Sequence, residues 1–158
     1  HFSCFKQQQI FKNNSSSIMF KIILLSSIIL FHLVASTCPN GATPIPSGLG
    51  SNWSCILPIN NLVPFLDAEI NCQVHNGHLL SISNGFLNAF VTNLINPVYG
   101  DRHFWIGITQ LVGGIWKNVD DGKNTTYFNW AIGQPWNDPD HKCVSIGSQG
   151  YWYSSYVC

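Results

Sequence analysis

Five cysteines, Cys38, Cys55, Cys72, Cys143 and Cys158, are spread over residues 38–158, and none stands in a Cys-x-x-Cys pair. That spacing excludes zinc ribbons and thioredoxin-type chemistry and leaves disulfides as the expected state, provided the compartment is oxidising. Disulfides tie distant parts of a short chain together and so restrict the folds open to it. Five is an odd number, so one thiol is expected to be free, paired between chains, or lacking its partner. Cys38 and Cys55 bracket a Pro/Gly/Ser-rich stretch (residues 38–55) with little helical or strand pattern, where a disulfide would pin the start of the domain.

The compartment is indicated by what lies upstream. Met19 is the only methionine, and Met19-Phe20-Lys21 gives a short basic start to an apolar run from Ile22 to Val34. With Val34-Ala35-Ser36 as the cleavage site, residues 19–36 read as a secretory signal peptide, and the product is expected to be secreted. The run is shorter than the roughly 20 residues a transmembrane helix needs, so no membrane span is expected in the mature chain. Residues 1–18, with Gln7-Gln8-Gln9 and Asn13-Asn14-Ser15-Ser16-Ser17, read as an upstream or disordered segment, and Cys4 is left out of the disulfide count. Asn52-Trp53-Ser54 and Asn124-Thr125-Thr126 are glycosylation sequons, at Asn52 and Asn124, as a secreted protein can carry.

Residues 37–158 form one expected domain, long enough for a real core. All seven acids lie within it against four cations (Arg102, Lys117, Lys123, Lys142), a net charge of −3. No basic stripe exists to neutralise phosphates, which argues against nucleic-acid binding. Hydrolase, metalloprotease, phosphate-loop and dinucleotide fingerprints are all missing, so no enzyme is expected. Asp120-Asp121 is better read as part of a turn than as a glycosidase pair, because adjacent residues rarely aim at one bond. His75-x-x-His78 straddles Gly77, lacks a third ligand, and reads as surface histidines.

The pattern along the domain predicts a first helix through Phe65–Cys72 with Leu66, Ile70 and Cys72 or Val74 inward, and Gly77 just beyond its end. His78–Ile82 reads as a short strand. Ser83 or Asn84 caps a second helix, with a stripe of Phe86, Leu87, Phe90, Val91 and Leu94, that stops before Asn96-Pro97. Phe104-Trp105-Ile106-Gly107-Ile108 is a buried strand. Further short strands are expected around Trp116, Tyr127–Trp130, Val144–Ile146 and Tyr151–Tyr153, with turns at Gly113-Gly114 and Asp121-Gly122. Helices followed by strands indicate an α+β domain. Between the strands lies Gly133-Gln134-Pro135-Trp136-Asn137-Asp138-Pro139-Asp140-His141-Lys142-Cys143. Its prolines stiffen a loop that carries carboxylate and amide oxygens suited to a hard cation or a polyhydroxylated ligand.

Taken in order, Asp67-Ala68-Glu69-x-x-Cys72, Gly77-His78-Leu79-x-x-Ile82, Trp105-Ile106-Gly107-Ile108, Asp121-Gly122, Tyr127-x-x-Trp130-x-x-Gly133-Gln134-Pro135, Cys143-Val144 and Trp152 resemble the C-type lectin-like domain. Cys38-Pro39 and Cys55 resemble the extra N-terminal pair of its long form. The resemblance implies a disulfide-stabilised α+β fold with two helices flanking small antiparallel sheets and a long ligand-binding loop. Trp105, Trp116, Trp130 and Trp152 would then be mainly core, and Trp136 a candidate for ligand contact. Family members have two cysteines after the last-sheet Trp, whereas this chain has Cys158 alone. Either Cys158 pairs with Cys72 and leaves Cys143 free, or it pairs with Cys143, leaves Cys72 free, and the chain stops before its last strand.

Sugar-binding members hold one calcium ion between protein oxygens and sugar hydroxyls. Gln134 and Pro135 match that pattern. Trp136, His141 and Tyr153-Ser154 stand where oxygen ligands would be. By resemblance the ligand-binding set is Gln134, Trp136, Asn137, Asp138 and Asp140, with Gln134, Asn137, Asp138 and Asp140 around a doubtful calcium. The implied function is a secreted carbohydrate-binding domain with a degenerate calcium and sugar site. The alternative is a calcium-independent lectin-like domain for an extracellular protein or other non-sugar ligand. Mass spectrometry of the secreted product is expected to find its N-terminus at Thr37; a start upstream of Met19 would overturn the reading of residues 1–36.

Overall fold

The near-continuous apolar run Phe104–Thr109 becomes the central strand of the larger sheet, and both of its faces are covered. The computed structural model describes residues 4–6, 38–156 and 158, so the expected signal peptide at 19–36 lies outside the described residues. In chain order the elements are β1 (Cys4–Lys6), β2 (Thr43–Pro44), β3 (Cys55–Ile59), α1 (Phe65–Val74) and α2 (Gly85–Tyr99). They continue with β4 (Phe104–Thr109), β5 (Lys117–Asn118), β6 (Cys143–Ile146) and β7 (Trp152–Ser155). Two antiparallel sheets result, ordered β1-β3-β2 and β5-β4-β6-β7. The domain is α+β, as expected. Strand β1 falls within the stretch expected to be upstream or disordered, and its backbone pairs with β3, Cys4 opposite Ile59.

Alternation along β4 divides the core in two. Phe104, Ile106 and Ile108 meet Leu87, Val91 and Ile95 of α2, while Trp105 joins Phe65, Ala68, Cys72 and Leu79 on the other side. Phe65 meets the Trp105 ring edge-on at 5.5 Å. The inward face of α1 is therefore Phe65, Ala68, Glu69 and Cys72, and the expected face is corrected: Leu66, Ile70 and Val74 are exposed. Glu69 is held at this face by polar contacts. Its carboxylate accepts from Leu79 N (2.9 Å) and Gln73 Nε2 (2.8 Å) and meets His78 Nδ1 at 2.6 Å. The left-handed residue after α1 is Asn76 (φ 59°), not Gly77, whose N–H instead donates to Cys72 O.

Asn84 caps α2 by accepting from the N–H groups of Phe86 and Leu87, both at 2.9 Å. The expected stop before Pro97 is corrected, since the helix carries Pro97 in its last turn and runs to Tyr99. That turn is held by Gly100 N donating to Asn96 O and by Tyr99 packing on Phe104 at 5.0 Å. Within the stripe, Phe86 is also exposed, and Asn88 and Ile95 are buried.

His78–Ile82 is not a ladder strand. It is an extended, buried segment fastened to β4 by Gly107 N donating to Leu80 O (2.8 Å) and Ser81 Oγ donating to Gly107 O (2.8 Å). Asp120 extends the fastening: it accepts from Trp53 Nε1 (2.9 Å), and its Oδ1, 2.6 Å from Ser81 Oγ, shares the single hydroxyl proton with Gly107 O. Tyr127–Trp130 likewise adds only one bridge, Trp130 to Trp152.

The disulfides are Cys38–Cys55 and Cys143–Cys158. They close loops of 17 and 15 residues, each worth about 3 kcal/mol in the chain-entropy account. Cys72 is also disulfide-bonded, with a partner outside those four, and no described cysteine is free. The expected free thiol is thereby corrected. Both sequon asparagines, Asn52 and Asn124, are exposed. Among the described residues no helix is long and apolar enough to cross a membrane.

A Cβ at Gly107 would run into the Leu79 carbonyl and lie 2.8 Å from Val119 Cγ2. Because backbone cannot yield as a side chain does, Gly107→Ala is expected to cost about 1–3 kcal/mol, at the upper end of overpacking effects. Urea unfolding of the variant against wild type checks this.

Candidate functional site

The loop of residues 133–143 is held at both ends by the sheet. At its start, Ala131 N donates to Trp152 O (3.0 Å) and Gln134 N to Ala131 O (3.0 Å), with Gly133 turning the chain at φ 81°. At its end, Gln110 N and Thr109 Oγ1 both donate to Lys142 O (2.8 and 2.9 Å), and Cys143 enters β6 opposite Thr109. The Gln134–Pro135 peptide bond is cis.

Inside the loop, one serine of β7 ties Gln134 to Trp136 through three hydrogen bonds. The Ser154 backbone N–H and hydroxyl both donate to Gln134 Oε1 at 2.8 Å, and the same hydroxyl accepts from Trp136 N at 2.8 Å. The backbone N–H can only donate, which sets the orientation of the Gln134 amide. Strand alternation puts Ser154 on the face of Trp152, towards the loop. A second knot forms around Asp138. Its Oδ1 accepts from Asp140 N (2.9 Å), His141 N (3.1 Å) and His141 Nδ1 (2.7 Å). These donors, the His141 side chain first, hold the Asp138 carboxyl below the usual carboxylate range.

The outer surface of the loop is aromatic. Trp136 is 57% exposed and stacks on His141 with centroids 5.8 Å apart and planes 26° apart. His141 in turn meets the exposed Tyr156 edge-on at 5.6 Å. The side chains of Asn137 and Asp140 make no hydrogen bond among the described residues and remain open to a ligand. The five residues expected from the sequence thus share one loop, but Gln134 is bonded to Ser154 of β7 and one oxygen of the partly exposed Asp138 is bonded within the loop. Ser154, His141 and Tyr156 were not in the expected set. For Ser154 the available signal was its place two residues after the buried Trp152. Tyr156 had none, since its approach to His141 depends on how the chain leaves β7.

Calcium takes six to eight oxygens, several of them charged. Gln134 Oε1 has both lone pairs engaged by Ser154, Asp138 Oδ1 accepts three donors, and Trp136 brings an indole. Among the described residues no three His, Cys, Asp or Glu side chains cluster as a metal site would need. Gln134 Oε1 and Asp138 Oδ1 are thus committed to protein donors, while the Asn137 and Asp140 side chains are not. Of the His75-x-x-His78 pair, His78 meets the Glu69 carboxylate through Nδ1 at 2.6 Å.

Comparison with known proteins identifies the family and the fold. The Lectin C-type domain family matches residues 61–158. The chain is 25% identical over 145 residues to a perlucin-like protein of Mytilus galloprovincialis, covering 87% of this chain and 91% of that one. It is 30% identical over 126 residues to the galactose-specific lectin nattectin of Thalassophryne nattereri, covering 78% and 75%. It is 32% identical over 117 residues to asialoglycoprotein receptor 2 of Rattus norvegicus, covering 66% of this chain but spanning only 37% of that receptor. Among solved structures, the carbohydrate-recognition domain of mouse scavenger receptor C-type lectin superposes with a TM-score of 0.64 at 25% identity, covering 76% and 87%.

With its folded pKa depressed, Asp138 supports the loop above its ordinary value of about 4 and loses that support as pH falls through the depressed value. Chemical-shift titration of the His141 and Asp140 amides is expected to report this step below about pH 4. Asp138→Asn is expected to abolish it.

Proposed function

The chain belongs to the C-type lectin domain family, and we propose from that premise that it is a carbohydrate-binding module acting through the 133–143 loop. The observation that carries this reading is Trp136, a large indole more than half exposed on a loop braced at both ends by the sheet. Sugars present flat C–H faces that pack on aromatic rings, and hydroxyl edges that need polar partners. Asn137 and Asp140 sit one and four residues from Trp136 with their side chains uncommitted. A relative described as a galactose-specific lectin and a fold neighbour described as a carbohydrate-recognition domain support the same class of ligand.

In this reading the ligand is held by stacking and direct hydrogen bonds, without calcium, because Gln134 Oε1 is taken by Ser154 and Asp138 Oδ1 by His141 and the Asp140 N–H. The module binds and does not catalyse, and it works as a secreted protein, in keeping with the leader-like residues 19–36 and the disulfides. The second reading, a protein ligand on the same surface, draws on Ile132 and Tyr156, which are fully and largely exposed near the loop.

A glycan array probed with the full chain is expected to show sugar binding that chelator leaves intact and that Trp136→Ala weakens roughly tenfold or more. Circular dichroism of the variant should match wild type, since Trp136 is outside the core. A blank array together with chelator-insensitive capture of an extracellular protein favours the second reading.

A further inference from the structure

We propose that Ser154 closes the binding loop in place of a metal ion, so the loop keeps its binding shape in metal-free protein. The inference rests on the preceding reading only for what the loop is for; loop closure itself is measurable without any glycan.

A metal-closed loop gathers carboxylates around a cation, and without the cation those charges repel and the loop opens. The contacts here run the other way. The chain of bonds from Trp136 N–H to Ser154 Oγ, and from Ser154 O–H to Gln134 Oε1, is made of neutral groups, so no ion is needed to hold it together. The Ser154 N–H adds a second bond to the same Gln134 oxygen. Ser154 is buried, so these bonds are shielded from water. Of the loop carboxylates, Asp138 has its Oδ1 met by two backbone N–H groups and the His141 imidazole, all from within three residues of it.

His141 also links the two knots, because its ring stacks on Trp136 while its Nδ1 meets Asp138. The imidazole therefore ties the carboxylate knot to the residue whose backbone Ser154 holds. A serine and a histidine each stand where a metal-binding loop would place oxygen ligands, and each is bonded to the rest of the loop. Ser154 is thus a positioning residue: it acts on ligand through the orientation of Trp136.

Amide hydrogen exchange of the full chain, with calcium and with chelator, tests this. In wild type the Trp136 amide is expected to be protected, and equally so in both conditions. Ser154→Ala is expected to speed its exchange about tenfold, and Ser154→Thr, which keeps the hydroxyl, to restore protection to within about twofold. Should Ser154→Ala fail to fold, Gln134→Ala reads the same contact from the half-exposed side, and the Ser154 amide should exchange faster. Calcium-dependent protection of Trp136 in wild type, or unchanged protection in Ser154→Ala, overturns the proposal. These rates do not depend on sugar, so a blank glycan array leaves the result standing, and a failed exchange test leaves the array result standing.

Discussion

Trp152 is the residue on which the sheet, α2 and the loop all converge. A fully buried indole must satisfy its N–H, and here the acceptor is Asn88 Oδ1 on α2 at 2.7 Å. Its own backbone takes a bond from Ala131 and gives one to Asn129, so the segment leading into the loop is registered on β7. Tyr127, Trp130 and Phe128 present ring edges to it at 5.5, 5.9 and 6.3 Å. Shifting β7 by one residue would turn Trp152 out and Ser154 away from the loop together. Core packing and loop closure are in that sense one constraint.

With Ser154 closing the loop as proposed, a binding fold keeps its scaffold while changing its means of closure. Gln134 and Pro135 remain, but the amide oxygen of Gln134 is given to a serine of the neighbouring strand. Neutral hydrogen bonds in a partly buried setting add modest stability each and carry no self-repulsion when nothing is bound. What the exchange gives up is a strong electrostatic handle for sugar hydroxyls. What it leaves outward is an indole, a phenol and uncommitted polar side chains, a surface better suited to stacking than to coordination.

Much of the fold was legible from residue order alone. The β4 run, the Asn84 cap and the turns at Gly113-Gly114 and Asp121-Gly122 depend on local chemistry or strict period, and they occur where expected. Helix α1 shows where periodicity runs out. Phe65, Ala68 and Cys72 form one stripe of helical period, and Leu66, Ile70 and Val74 form another about equally good. The choice was made by Trp105, which takes Phe65 edge-on, and by Glu69, which needed the Leu79 N–H. Pro97 misled for a related reason: its local preference was overridden by the packing of Tyr99 on Phe104.

By itself the sequence determined the α+β class, the two helices and the central β4 strand, the Cys38–Cys55 staple and the loop that carries the candidate site. Each follows from period, turn chemistry or the short reach of a closed loop. Tertiary structure decided which α1 stripe is buried, which cysteine Cys158 joins, and that the Gln134 amide turns to Ser154. Those outcomes depend on groups 15 to 20 residues apart in sequence or more, such as Gln134 and Ser154, brought together only when β7 pairs with β6. A hydrogen-bond acceptor and a metal ligand look alike as letters, and which of the two Gln134 becomes depends on what the fold sets against it.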